Sequence, residues 1–256
     1  MTDAMTDAII EVKNLTVGYG EKIILQRVSF SVRRGEVFVI LGGSGCGKST
    51  LLKSMIGLTP PMAGGVRING RNIVTARGRE RKNILRSFGV MYQSGALFGS
   101  MSLLENITLP LEEYTRLPRA AREAVARMKL KLVGLSGSEL KIPSELSGGM
   151  QKRAAIARAM ALDPGILFLD EPQAGLDPVT SAGLDELILT LSKKLGITFV
   201  IVTHELPSIY AVADRVIMLD GRTRGIIAEG APAELRDHSD NPWVRQFFNR
   251  EAEHTA

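Results

Sequence analysis

Residues Glu36–Leu58 read EVFVILGGSGCGKSTLLKSMIGL, and the fold turns on how they are parsed. After Glu36 the opening VFVIL is continuously apolar, as expected of a parallel strand buried on both faces. The end, STLLKSMIGL, spaces Leu51, Leu52, Met55 and Ile56 along one helical face. Between them GGSGCGKS, Gly42 to Ser49, satisfies G-x-x-x-x-G-K-[ST] in a strand-then-helix context that gives the pattern meaning. Glycines let backbone N–H groups curl around phosphate oxygens, and the following helix adds the positive end of its dipole. Gly42, Gly43, Ser44, Gly45, Cys46 and Gly47 are expected to form that cradle. Lys48 should reach the β- and γ-phosphates of a nucleotide, Ser49 should ligate Mg²⁺, and Thr50 should donate near the α-phosphate. The plain alternative, an accidental glycine-rich turn, leaves the flanking strand and helix unexplained. Cys46 reads as a small residue at a free position of the loop.

Working outward, AIIEVKNLTV and VSFSV alternate apolar and polar residues like half-exposed antiparallel strands. From about Ser94 to Leu162 the pattern is mostly helical, including RAAREAVARMKLKLVGL. After Asp163-Pro164 the alternation returns with ILFLD, a helix from about Val179 to Leu195, ITFVIVTH, RVIML and GIIAEG. This order predicts an α/β fold of one domain. Its core, 9–93 and 163–230, carries a parallel sheet and an N-terminal antiparallel β part. An α-helical subdomain, 94–162, is inserted, and a polar, partly helical tail covers 231–256.

The 256 residues are 45% hydrophobic and 23% charged, an ordinary globular composition that argues against a disordered chain. No run of 18 apolar residues is present, so no membrane-spanning helix is expected. The opening MTDAMTDAII carries acids and no basic region, unlike a secretory signal, and its MTDA repeat leaves open whether Met1 or Met5 is the start. One cysteine excludes an internal disulfide and fits a reducing, cytosolic setting. The net charge of +5 comes from cations scattered among acids, with no aromatic-studded basic stripe. Nucleic acid is therefore not expected as a partner, and a solvated surface near a membrane is.

ILFLDEP puts Asp170 and Glu171 at the C-terminal end of a buried strand, the edge where open α/β sheets bind ligands. Asp170 is expected to hold Mg²⁺ through water, and Glu171 to polarise the attacking water as general base. ITFVIVTHE ends a third strand with His204, read as a sensor of the γ-phosphate; His238 and His254, in the tail, receive no role. Gln93, in VMYQSG, ends a strand where the insertion begins, and its amide could reach Mg²⁺ or the attacking water. Tyr19, in VGYGEK, could stack on adenine or be a plain turn tyrosine. In LSGGM, Ser147 is a good N-cap, and Gly148 and Gly149 bare the first N–H groups of a helix. That is a second anion site for a ligand with one terminal phosphate. Either the insertion folds back over its own loop, or it faces the phosphate held by a second copy, with AGLD and Asp177 along the seam.

In this order, Tyr19, GGSGCGKS, Gln93, LSGGMQKR, ILFLDE, AGLD and His204 resemble the ATP-binding subunits of ABC transporters, over roughly Ile9 to Glu229. The resemblance implies ATP hydrolysis with Mg²⁺ and a head-to-tail pair in which Ser147 and Gly149 contact the partner's ATP. It also implies a permease dimer in the membrane. Gln173 departs from the threonine or serine common in the family; with Glu171 and Asp177 intact, activity is expected to survive.

YQSGALFGSMSLLENITLPLEEYTRLP, KIPSELSGGMQKRAAIARAM and SDNPWVRQFF look closest to the Mla-type ATPases, which act with MCE proteins in phospholipid transport at the Gram-negative envelope. That implies a peripheral subunit on the cytoplasmic face of the inner membrane, an MCE-domain partner and room for a small regulatory subunit. Mla-type chains often continue into a C-terminal segment that clasps the neighbouring subunit; this sequence stops at Ala256, which leaves that contact open. Leu97, Phe98, Met101, Leu103 and Leu104 form either a docking patch for a permease helix or the core of the insertion. The rival readings are an importer ATPase for an amino acid or other small solute, and a soluble ABC ATPase of translation or DNA repair. The latter usually has two cassettes or a long coiled coil.

Overall fold

A computed structural model describes residues 8–251; the MTDA repeat and His254 lie outside them. The chain opens with a hairpin of β1 (Ala8–Tyr19) and β2 (Lys22–Arg33), then β3 (Val37–Gly42) and α1 (Lys48–Met55). β4 (Ala63–Ile68), the short β5 (Arg71–Asn72), α2 (Gly78–Arg86) and β6 (Phe88–Met91) follow. Next come three helices, α3 (Leu103–Tyr114), α4 (Arg119–Leu132) and α5 (Gly148–Ala159). The core resumes with β7 (Ile166–Asp170), α6 (Pro178–Leu195), β8 (Thr198–Val202), α7 (Leu206–Val212), β9 (Arg215–Asp220) and β10 (Gly225–Gly230). Two short helices, α8 (Pro232–His238) and α9 (Pro242–Asn249), come last.

The central sheet has the order β10-β9-β3-β8-β7-β6, with β9 through β6 parallel and β10 antiparallel at one edge. Each inner strand is apolar on both faces, and the pleat divides its residues between two cores. Val37, Val39 and Leu41 of β3 face the helical side with Leu167 and Leu169 of β7 and Phe199 and Ile201 of β8. Phe38 and Ile40, with Ile166, Phe168, Val200 and Val202, face the opposite side. There the second sheet, β2-β1-β4-β5, and α1 cover them. Arg215 ties the two sheets: it bonds Glu36 at 2.8 Å and the Ser31 carbonyl at 2.7 Å, and lies over the Phe38 ring.

The expected order of strand, loop, insertion and returning core is observed, with differences in detail. β4, β5 and α2 occupy a stretch whose glycines and charges carry no clear period. β6 stops at Met91, so Gln93 lies two residues past the strand instead of ending it. The tail is less polar in effect than its composition: Leu235, Val244 and Phe248 are buried in the helical-side core. The Leu97–Leu104 cluster divides, for Leu103 and Leu104 are buried whereas Phe98 is 50% exposed. No helix among the described residues is long and apolar enough to cross a membrane.

Candidate active site

The C-terminal ends of β3, β7 and β8 lie at one edge of the central sheet, where the glycine loop, Asp170, Glu171 and His204 emerge. β3 runs into the glycine loop with Gly42 at φ 151° and Gly47 at φ 107°. Both positions are closed to side chains. A methyl group on Gly42 would sit 2.4 Å from the Leu219 carbonyl oxygen, and one on Gly47 would sit 2.7 Å from Ile24. Gly47 also stands at the start of α1 without any side-chain cap, so the first N–H groups of that helix remain open for an anion. Lys48 is nearly buried and donates to the carbonyls of Gly42 and Gly43 at 2.8 and 3.1 Å, which folds the loop around its ammonium. The Cys46 side chain turns into the core under the loop, where burial raises its thiol pKa.

A cleft of about 730 Å³ is lined by Gly42–Gly45, Gly47, Lys48, Ser49, Thr50, Tyr19, Gln93, Glu171 and His204. Tyr19 is half exposed, and its hydroxyl is 3.3 Å from Thr50 Oγ1. Ser49 donates to Asp170 Oδ1 at 3.3 Å, and burial pushes the Asp170 carboxyl above its ordinary pKa against the pull of that bond. Glu171, next in chain, adopts φ 47° and donates its N–H to the Val202 carbonyl on the neighbouring strand. Its Oε1 is 2.9 Å from His204 Nδ1, and its Oε2 is buried with no partner among the described residues. A hydroxyl, a carboxylate and an orphaned carboxylate oxygen form an all-oxygen donor set suited to Mg²⁺ and a phosphate-bound water. The residues fit the metal and nucleotide that the loop implies.

Ser147, Gly148, Gly149 and Asp177 do not line this cleft. Ser147 caps α5 by accepting from the Met150 N–H at 3.3 Å, and Asp177 caps α6 by accepting from Val179 and Thr180, each at 3.0 Å. The Thr180 hydroxyl, which also donates to Asp177, and these backbone bonds hold the Asp177 carboxyl below its usual range. The helix starts pack together: a methyl on Gly149 would lie 2.4 Å from Thr180 Cγ2, and one on Gly148 3.4 Å from Leu176. Gly149 is thus required for close approach as well as for bare N–H groups. Gln173, where the family commonly carries threonine or serine, is buried.

Three further residues, Lys152, Arg158 and Phe247, contribute to the site and its surroundings. Lys152 of α5 donates to the Gln93 carbonyl, and burial lowers its pKa while Glu171 and Asp170 oppose the shift. Arg158 donates to the carbonyls of Ala96 and Gly95 and lies over the Phe98 ring. Phe247 of α9 lines the cleft, stacked on Trp243. An arginine set in AAIARAM, and two adjacent phenylalanines in a polar tail, were signals available in the sequence; Lys152 lies within LSGGMQKR, but nothing in that motif points to a bond with the Gln93 carbonyl.

Fold and site define a phosphate-loop ATPase, and comparison with known proteins places it further. The family described as ABC transporter matches residues 25–174. A probable ribonucleotide transport ATP-binding protein, mkl, of Mycobacterium leprae is 45% identical over 94% of this chain and 68% of its own length. The intermembrane phospholipid transport ATP-binding protein MlaF of Haemophilus influenzae is 37% identical over 97% of this chain and 93% of its own. Among solved structures, the dimeric post-hydrolysis cassette MJ0796 bound to ADP and Pi superposes with a TM-score of 0.78 at 32% identity, covering 87% of this chain and 98% of that one. The structure of cbiO1 from Clostridium perfringens, part of the transporter complex cbiONQ, gives 0.82 at 30% identity, covering 91% and 92%. The chain belongs to the ABC transporter family and is an ATP-hydrolysing subunit of it.

Proposed function

We propose that this chain is the motor of a transporter that moves phospholipids between membranes, working as a pair of copies beneath a permease dimer at the cytoplasmic face of the inner membrane. The observation that carries the motor reading is the split geometry: the glycine loop and Glu171 share a cleft that Ser147, Gly149 and Asp177 do not enter. Two copies arranged head to tail would bring the start of α5 of each, at Ser147, to the phosphate held by the other. The dimeric form of the MJ0796 cassette supports that arrangement. Phospholipid cargo is supported by likeness to MlaF over nearly all of its length, whereas the chain spans about two thirds of mkl.

Lys48 and the loop N–H groups would hold the phosphates, and Tyr19 would receive the adenine. Bound at Ser49 and Asp170 with help from Gln93, Mg²⁺ would neutralise charge on the phosphate oxygens. His204 N–H holds Glu171 Oε1, which leaves Oε2 to take the proton of an attacking water. Positioning and charge stabilisation suffice, so no protein nucleophile is invoked. An MCE-domain protein and a small regulatory subunit complete the assembly.

The test is reconstitution of this chain with its co-purifying permease and MCE-domain protein in vesicles carrying a labelled phospholipid. ATP-dependent transfer that Lys48→Ala abolishes is the expected result. ATP hydrolysis stimulated by an amino acid or another small solute, with no lipid transfer, would replace the cargo reading.

A further inference from the structure

Glu171 and His204 sit on separate loops, one after β7 and one after β8, and each loop is tethered a little further on. Two residues past Glu171, Gln173 Nε2 donates to Asp185 Oδ1 at 2.9 Å. Four residues past His204, Ser208 Oγ donates to Asp185 Oδ2 at 2.7 Å. One carboxylate on α6 therefore receives the turn that follows Glu171 and the first turn of α7, which follows His204. All three side chains are buried, with exposures of 3% for Gln173, 6% for Asp185 and 1% for Ser208. None of them lines the nucleotide cleft; they border a separate groove between α6 and α7.

For stability alone this is a poor choice. A carboxylate is taken out of water, and Gln173 Oε1 is left buried with no partner among the described residues. Well-packed apolar side chains of similar volume would serve a purely structural joint at least as well. What the polar trio adds is direction: two hydrogen bonds fix the spacing of two loops to one rigid helix. The start of α6 is itself capped by Asp177, so the seam loop, the base loop and the histidine loop all refer to the same element.

We propose that Asp185 is a positioning residue for hydrolysis, clamping through Gln173 and Ser208 the loops that carry Glu171 and His204. It explains why glutamine occupies position 173: the longer amide reaches α6. The proposal rests on Glu171 as the general base.

Three variants of the full chain test it: Gln173→Met/Asp185→Leu/Ser208→Ala combined, Ser208→Ala alone, and Glu171→Gln. The combined variant should lose about 10- to 100-fold in kcat. Its KM for ATP should stay within about twofold and its Tm should not fall. Ser208→Ala, which cuts one arm, should lose about threefold or more in kcat at unchanged KM. Should the combined variant not fold, Ser208→Ala decides. Unchanged kcat, or a kcat loss that comes only with a lower Tm and a raised KM, overturns the proposal. Glu171→Gln separates the two readings: retained turnover there removes the base, whereas lost turnover there beside normal turnover in the network variants removes only the clamp.

Discussion

His204 Nδ1 lies 2.9 Å from Glu171 Oε1, so the ring engages one carboxylate oxygen and leaves the other to the reaction. Glu171→Gln should bind ATP normally and slow hydrolysis by about 10²–10⁴-fold, the usual worth of a general base. The same variant should accumulate as an ATP-bound dimer by gel filtration. His204→Ala should lower kcat by about 10- to 100-fold through misplacement of Glu171, with little change in ATP affinity. Equal turnover of both variants and the parent would remove the pair from the mechanism.

Gly149 faces Thr180 too closely for a side chain. Gly149→Ala should therefore cost about 1–3 kcal/mol in urea unfolding. Thr180→Ser deletes the offending Cγ2 and keeps the hydroxyl bonded to Asp177. In that background alanine should be tolerated, since it favours a helix over glycine by about 1 kcal/mol. A Gly149→Ala protein as stable as the parent would show that the helix starts are not tightly packed.

Lys152 joins α5 to the Gln93 carbonyl, and Arg158 joins it to the next turn of the same loop. Lys152→Met should leave ATP affinity unchanged and reduce stimulation of ATPase activity by the permease about fivefold or more. Full stimulation in that variant would mean that the loop and the helix are coupled by other contacts.

Burial raises the Asp185 carboxyl above its ordinary pKa, against the opposing bonds from Ser208 and Gln173. The folded protein thus holds this proton more tightly than the unfolded chain. The associated stability is fully present below the unfolded value of 3.8 and is lost as pH rises through the raised folded value. Asp185→Asn removes that dependence. Its Tm relative to the parent should be more favourable at about pH 7 than at about pH 4. A Tm difference that does not vary with pH would contradict the assignment.

Much of the molecule was legible because its signals are local. VFVIL and the glycine loop announce a buried strand and a phosphate site within a few residues. The segment from Ala63 to Arg86 was silent, since β4 is placed by pairing with β1. Gly64 is confined by that distant partner: a methyl there would lie 2.2 Å from the Asn14 carbonyl oxygen. Glu171 and His204 each stand out singly, at the ends of the apolar runs ILFLD and ITFVIVT. Their meeting depends on β7 and β8 lying in register, Asp170 opposite Val202, which no spacing in the chain reveals. In LSGGM the sequence shows two glycines that bare N–H groups, and the demand from Thr180 appears only once α6 is beside them.

Trp243 is the one tryptophan of the chain. It stacks on Phe247 at the cleft wall, and a methyl placed on Gly43 would touch its indole at 4.0 Å. Tryptophan emission from this protein therefore originates beside the phosphate cradle, and its colour and intensity furnish an intrinsic optical gauge of occupancy without any attached dye.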